Sequence, residues 1–177
     1  MQDNFVNSVI EFGKYKSDTW YGIDSFENER FQTFLEEVKS KPELFDQHEL
    51  YLTGGILEDW ITWDVDLAIT GPYIPSKILS AITWITYLGF KHGIYPDAVY
   101  VDELFDLHEW QKDSSETSVQ KWVYFLSDSF VRDGVKKDMD GGEWQDGLYR
   151  SRLTFPYQKN IEAIAEGHLY KKALKIF

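Results

Sequence analysis

The sequence predicts an α+β protein with a mixed β-sheet and helices mainly on one face of that sheet. Apolar residues recur at helical spacing in segments 31–38 and 78–88, whereas residues 64–70 and 148–155 show the two-residue alternation of strands. Helical and strand segments alternate in the first part of the chain, and strands followed by a helix make up the last part. This order predicts a mixed sheet instead of a regular strand–helix repeat.

The first predicted helix follows a polar start signal. Asp24 and Glu27 have the spacing of a capping box, in which two side chains satisfy backbone N–H groups at the start of a helix. Four apolar residues then follow at helical spacing: Phe31, Phe34, Leu35 and Val38. Pro42 is expected to stop the helix, because proline lacks the N–H that a helix interior needs.

Two predicted strands flank a glycine-rich turn. Residues 49–53 and 64–70 have the apolar and β-branched composition of strands. The turn Gly54-Gly55 directly follows the first of these strands, and a short helix is predicted near 56–61. The chain then breaks at Gly71-Pro72, a dipeptide that is typical of turns.

A second long helix and a third strand come next. Ser76 can cap this helix, and Gly89 is expected to end it because glycine commonly follows the last helical turn. The apolar stripe of the helix consists of Ile78, Ile82, Ile85 and Leu88. Residues 98–102 (Ala-Val-Tyr-Val-Asp) have the composition of a strand.

The last third of the chain is predicted to add strands and a closing helix. The strands are expected at 119–126 and 148–155, and the acidic, glycine-containing segment 138–143 is expected to form a hairpin turn. A helix with one apolar side is predicted over 161–173.

Composition indicates a single globular domain. Hydrophobic residues make up 43% of the 177 residues, which is enough for one buried core. No linker-like segment divides residues 1–177, so we expect a core at about 45–106, to which the strands and helix of 119–177 are added.

The chain has no cysteine, which excludes disulfides and cysteine-bound zinc. No apolar stretch is long enough to cross a membrane. We expect a cytoplasmic protein, or one within a particle that assembles in the cytoplasm.

The net charge is −12 and is unevenly distributed. Residues 1–108 contain 7 Lys and Arg against 19 Asp and Glu, a balance of −12, whereas residues 109–177 contain 11 of each. Tight binding of nucleic acid depends largely on Lys and Arg that neutralise phosphates. We therefore expect no binding of long nucleic acid, although a nucleotide that carries a metal cation remains compatible with this charge.

The most informative residues are two acids on one predicted strand. Asp64 and Asp66 alternate with apolar residues, so both side chains point to the same face. Their carboxylates lie roughly 7 Å apart along the strand, where they repel each other and lose hydration if covered. A divalent cation removes this repulsion, and Mg²⁺ or Mn²⁺ prefers such oxygen ligands. The sequence therefore predicts a metal site at Asp64 and Asp66.

The turn Thr53-Gly54-Gly55 supplies the other half of the predicted site. Glycine lets the backbone approach a phosphate closely, and N–H groups at the start of the next helix can bind it. The Thr53 hydroxyl can donate to a phosphate or cap the helix. These three residues are candidates for binding the phosphates of a nucleotide.

Residues 50–71 (LYLTGGILEDWITWDVDLAITG) resemble the nucleotidyltransferase superfamily, in particular the head domain of CCA-adding enzymes and poly(A) polymerases, in a minimal form. That family has an apolar strand, Gly-Gly or Gly-Ser opening a short helix, and Asp-x-Asp on the next strand. The resemblance implies a third carboxylate on a neighbouring strand and favours Asp97. The apolar pattern favours Asp102, which leaves Val99 and Val101 for the core. Strand alternation lets only one of the two acids face the site.

Two functions are compatible with these patterns. The resemblance implies transfer of a nucleotidyl group from a Mg-nucleoside triphosphate to a small-molecule or protein acceptor, with Asp64, Asp66 and the third acid as catalytic residues. The alternative is a catalytically inactive relative that serves as a structural or interaction subunit of a larger assembly such as a phage particle. The small size and the high aromatic content, 17% of residues, favour the alternative. Binding of metal and nucleotide distinguishes the two.

Overall fold

A mixed sheet of seven strands forms the centre of the fold. In this computed structural model the described residues are 7–9, 22–58, 61–62, 64–101, 118–126, 139–156 and 174–177. The strands are β1 (Glu49–Thr53), β2 (Asp64–Thr70), β3 (Tyr95–Val101), β4 (Ser118–Phe125), β5 (Met139–Gln145), β6 (Leu148–Pro156) and β7 (Leu174–Lys175). Their order in the sheet is β5-β6-β4-β3-β2-β1-β7. The predicted α+β class with a mixed sheet is confirmed.

The strands around the Gly-Gly turn are neighbours, as the sequence predicts. Strands β1 and β2 pair antiparallel, and the turn between them leads into a short 3-10 helix, Gly55–Glu58. Strands β2 and β3 pair in parallel, while the pairs formed by β4, β5 and β6 are antiparallel. A second 3-10 helix, Pro42–Phe45, precedes β1. Because β2 and β3 are parallel, both strands begin at the same edge of the sheet.

The first long helix, α1 (Glu29–Lys39), begins later than the capping-box pattern predicts. Its cap is Asn28, whose side-chain oxygen accepts the backbone N–H of Phe31 at 3.2 Å. Asp24 is outside the helix, where its carboxylate accepts a hydrogen bond from the Asn28 amide at 2.9 Å and orients the cap. The helix ends before Pro42, as predicted.

The second long helix, α2 (Pro75–His92), extends beyond both predicted ends. Its first residue is a proline, which needs no hydrogen-bond partner at that position, so Ser76 is inside the helix instead of capping it. The left-handed cap is Gly93, with φ 66°, and not Gly89. Gly89 is a glycine for another reason: β3 passes so close that a Cβ there would lie 2.7 Å from Pro96 Cγ.

Both long helices cover one face of the sheet, which we term the helix face. Their buried apolar residues share one core with alternate residues of β1, β2 and β3: Leu50, Leu52, Val65, Leu67, Ile69, Ala98 and Tyr100. The opposite face, termed the second face, carries a smaller apolar cluster made of Val101, Val123 and Phe125, against which Ala68, Val99 and Tyr149 pack. The remaining residues of β1 to β3 on the second face are polar or aromatic.

Strands β5 and β6 form a hairpin whose turn is Asp146-Gly147. The φ angles of these residues, 52° and 83°, lie in the left-handed region that two-residue hairpin turns require. The prediction of a turn at 138–143 is wrong, because β5 already runs through most of that segment. The Gly-Gly pair there coincides with an irregularity of strand pairing between Asp140 and Gly142 instead.

Two predictions concern residues that the structure does not describe: the acid Asp102 and the closing helix over 161–173. Strands from both predicted parts of the chain, the core and the C-terminal addition, belong to the same sheet. Among the described residues, none of the helices combines the length and the apolar character needed to span a membrane.

Candidate metal centre

Three carboxylates converge on the second face, at the edge where β2 and β3 begin. Asp64 and Asp66 lie on β2, and the parallel pairing places Asp97 of β3 directly beside Asp66. All three side chains are half-buried, and one oxygen of each lies within 4.8 Å of the others. Oxygen ligands of one cation stand about 2.0–2.6 Å from it, so they can be up to about 4–5 Å apart. A single divalent cation can therefore contact all three residues.

The side chain of Asp97 lies on the second face, on the same side of β3 as Val99 and Val101. The apolar pattern predicted instead that the two valines face the main core, and this part of the prediction is wrong. Ala98 and Tyr100 are in the main core instead. Tyr100 can be fully buried because its hydroxyl donates to a backbone carbonyl at 2.9 Å. A tyrosine can therefore lie in the core when its hydroxyl is hydrogen-bonded. The apolar pattern of β3 does not show this, because it treats tyrosine as a surface residue.

Burial and mutual repulsion raise the pKa of two of the carboxyl groups. Loss of hydration is the largest cause for Asp66, followed by the charges of Asp97 and Asp64, and the pKa of Asp66 lies well above its usual range. Loss of hydration, with a smaller effect of Asp64, raises the pKa of Asp97 to about 7. Within the described part of the chain, no donor is hydrogen-bonded to either of these carboxylates. A bound cation would supply the compensation that these groups lack.

Asp64 differs from the other two acids because a hydroxyl group holds it. Thr62 Oγ1 lies 2.7 Å from Asp64 Oδ1, to which it can donate, and it accepts the Asp64 backbone N–H at 3.3 Å. Thr62 is in turn fixed to Ile23 by two backbone hydrogen bonds of 2.8 and 3.0 Å. The sequence does not reveal Thr62 as a site residue, because a threonine two residues before an acid is common and Ile23 is far away along the chain.

Gly54 is in direct contact with the carboxylate of Asp66. Its φ is 86°, and a Cβ on this residue would lie 1.9 Å from Asp66 Oδ2. The Asp66 carboxylate therefore occupies the space beside Gly54 that a side chain would need. Thr53 is paired with Asp66 across β1 and β2, and Gly55 opens a helix of only four residues. Phosphate binding by Thr53, Gly54 and Gly55 stays a prediction.

The variant Gly54→Ala is expected to lose at least about 2 kcal/mol of unfolding free energy, because it combines a strained backbone with a collision. Gly22→Ala is the matched control, since a Cβ at Gly22 would meet Ile61 Cγ2 at 3.6 Å, an ordinary contact distance. Urea unfolding followed by tryptophan fluorescence measures both variants. Equal unfolding free energies would contradict the close contact between Gly54 and Asp66.

Comparison with protein-family models, with curated proteins and with solved structures found no match for this chain. The resemblance to nucleotidyltransferases therefore stays an expectation that rests on residues 50–71. The chemistry of the site is inferred from its own geometry.

The ligand atoms and the surrounding charges favour a hard cation. Among the described residues the cluster consists of carboxylates alone, whose oxygens are the ligands that Mg²⁺ and Mn²⁺ prefer, whereas zinc more often takes nitrogen or sulfur ligands. Arg150 does not compensate the cluster: it lies on the helix face, where its guanidinium is 3.7 Å from the centre of the Trp122 ring and 3.2 Å from Glu143. Lys175 of β7 forms an ion pair with Glu49.

Proposed function

We propose that this chain binds a Mg²⁺- or Mn²⁺-nucleoside triphosphate at Asp64, Asp66 and Asp97 and transfers its nucleotidyl group to a small-molecule or protein acceptor. The observation that carries this proposal is the convergence of three carboxylates, with one oxygen of each within 4.8 Å of the others, at the start of two parallel strands. Enzymes usually hold Mg²⁺ through one or two carboxylates together with substrate phosphates. An acidic, donor-poor cluster suits this shared mode of binding.

The three acids have different tasks in such a transfer. Asp64 and Asp66 would hold the cation, which when bound neutralises charge on the entering and leaving oxygens of the displacement. Asp97, directly beside Asp66, can contact the same cation and is also the candidate to take the proton of the attacking hydroxyl. Pyrophosphate would be the leaving group.

The acceptor is expected to be small or a protein because the surrounding charge does not suit a polynucleotide. The half of the chain that carries the site, residues 1–108, has 7 basic against 19 acidic residues. Arg150 lies on the other face of the sheet and is paired with Glu143. A long phosphate backbone would be repelled by this field, whereas a metal ion offsets the few charges of one nucleotide.

Labelled triphosphates test the proposal. The purified chain is incubated with Mg²⁺ or Mn²⁺, with protein or small-molecule fractions as acceptors, and with each triphosphate labelled at the α or the γ phosphate. Transfer of the α label alone is the expected result, and Asp64→Asn/Asp66→Asn is the control that should abolish it. Transfer of the γ label alone would indicate phosphoryl transfer and contradict the proposal.

A non-catalytic subunit of a larger assembly is the second candidate, and the contact between Gly54 and Asp66 favours it. A carboxylate already occupies the position that a phosphate would approach at Gly54. Titration calorimetry with Mg²⁺ and a non-hydrolysable nucleoside triphosphate distinguishes the two candidates. Absence of nucleotide binding would leave the structural subunit as the better explanation.

A further inference from the structure

We propose that Thr62 is a positioning residue of the metal centre, whose hydroxyl holds the Asp64 carboxylate in the orientation needed to share a cation with Asp66 and Asp97. This role rests on the proposed metal binding. It adds to the proposed metal binding that Thr62 sets the orientation of one ligand, the Asp64 carboxylate.

The contact between Thr62 and Asp64 has no equivalent at the other two acids. In the described ranges, Thr62 is the only side chain that is hydrogen-bonded to any of the three carboxylates. Its hydroxyl is 2.7 Å from Asp64 Oδ1 and 2.9 Å from the Asp64 backbone carbonyl, so its one proton is shared between these two acceptors, and it also accepts the Asp64 backbone N–H at 3.3 Å. A hydroxyl engaged in both directions has a fixed rotamer, and a ligand that is hydrogen-bonded from the outer shell is oriented before the metal binds.

Asp64 needs this support more than its neighbours because of its place in the sheet. Strand β1 ends opposite Asp66, so Asp66 has a paired strand on both sides. Asp64 is the first residue of β2 and has a paired strand only on the β3 side, at Tyr95. The Thr62 hydroxyl supplies the constraint that strand pairing does not provide at this end of β2.

Thr62 is itself held rigidly with respect to the other side of the site. It is 9% exposed, and two backbone hydrogen bonds join it to Ile23, which is fully buried. The neighbouring Gly22 carbonyl accepts from the guanidinium of Arg30 at 3.0 Å, and the same guanidinium donates to the carbonyl of Gly93 at 3.2 Å. Gly93 lies two residues before β3, the strand that carries Asp97. One arginine therefore links the Thr62 segment to the start of β3.

Three variants test this role through Mn²⁺ affinity, measured by calorimetry and by the electron paramagnetic resonance of the bound ion. Thr62→Val keeps the branched shape without the hydroxyl and is expected to bind Mn²⁺ on the order of 10-fold more weakly. Thr62→Ser keeps the hydroxyl and is expected to bind close to wild type. Thr70→Val is the matched control, because Thr70 is a buried threonine of β2 whose hydroxyl has no hydrogen-bond partner among the described residues. The affinity of this variant for Mn²⁺ should be unchanged.

The outcomes separate this role from the metal proposal itself. A wild-type protein that binds Mn²⁺ and a Thr62→Val variant that binds it equally well would overturn the positioning role and leave the metal site intact. A wild-type protein that takes up no Mn²⁺ overturns both. If Thr62→Val does not fold, Thr62→Ser is compared with Thr62→Ala, and equal affinities of that pair would overturn the role. A purely structural role would lower the unfolding free energy in EDTA without changing the Mn²⁺ affinity of the folded protein.

Discussion

The double variant Asp64→Asn/Asp66→Asn is expected to bind Mn²⁺ or Mg²⁺ at least about 100-fold more weakly than wild type. Loss of a residue that only supports a ligand lowers metal affinity by roughly 10–100-fold, and loss of two ligands should have a larger effect. Both substitutions are nearly isosteric and remove two of the three negative ligands that lie within 4.8 Å of one another. Amide oxygens carry no charge, so the remaining acid at Asp97 cannot hold the cation alone. Titration calorimetry with Mn²⁺ measures the loss.

A control that removes the same net charge elsewhere makes this result specific. Asp24 and Asp46 are exposed acids outside the cluster, and Asp24→Asn/Asp46→Asn should bind Mn²⁺ as wild type does. Equal heats for wild type and for the variant of Asp64 and Asp66 would refute the metal centre. Loss of binding in the control variant would instead assign the heat to general attraction by an acidic surface.

The variant Asp97→Asn is expected to be more stable than wild type in EDTA at pH 8, by roughly 1–4 kcal/mol. Burial and Asp64 raise the pKa of Asp97 from 3.8 to about 7 in the folded protein. Between pH 3.8 and about pH 7, the Asp97 carboxyl is protonated more in the folded state than in the unfolded state. Its contribution therefore lowers the unfolding free energy of wild type as the pH rises through this range. The asparagine has no charge to bury and escapes this loss.

Urea unfolding of wild type and Asp97→Asn over pH 5 to pH 8 measures this effect. The stability difference should be larger at pH 8 than at pH 5, and it should shrink or reverse when Mg²⁺ replaces EDTA, because the cation stabilises only the protein that binds it. Surface acids such as Glu37 and Asp46 have the opposite effect on the pH dependence of stability, because Lys91 and Lys77 lower their pKa values. Both proteins contain these acids, so their contribution cancels when the two unfolding free energies are subtracted. A difference that does not vary with pH would show that Asp97 is not buried against like charge.

Local patterns were sufficient for most elements of the fold. Strand bounds at 49–53 and 64–70 agree with the structure, because each strand has one buried face and its alternation is visible in a few residues. Helix ends were less predictable. Asn28 competes with Asp24 for the same capping role, and Gly89 resembles a helix end until the proximity of Pro96 explains it.

The arrangement of the three acids could be predicted only in part. That Asp64 and Asp66 share a face follows from the two-residue period of a strand, and the resemblance at residues 50–71 favoured Asp97 as the third acid. The apolar pattern pointed to Asp102 because it assigned Val99 and Val101 to the core. Only the packing of α2 on β3, which buries Ala98 and Tyr100, determines which face of β3 is the interior.

The sequence by itself determined the α+β class, the strand that carries two acids on one face and the glycine turn before it. These properties depend on residues within a few positions of one another, where backbone geometry acts directly. The tertiary structure alone decided that Asp97 lies beside Asp66, that Gly54 contacts the Asp66 carboxylate and that Thr62 is bridged to Ile23. Each of these contacts joins segments that are separated along the chain. Their geometry is set by strand register and by helix packing, which are properties of the whole core.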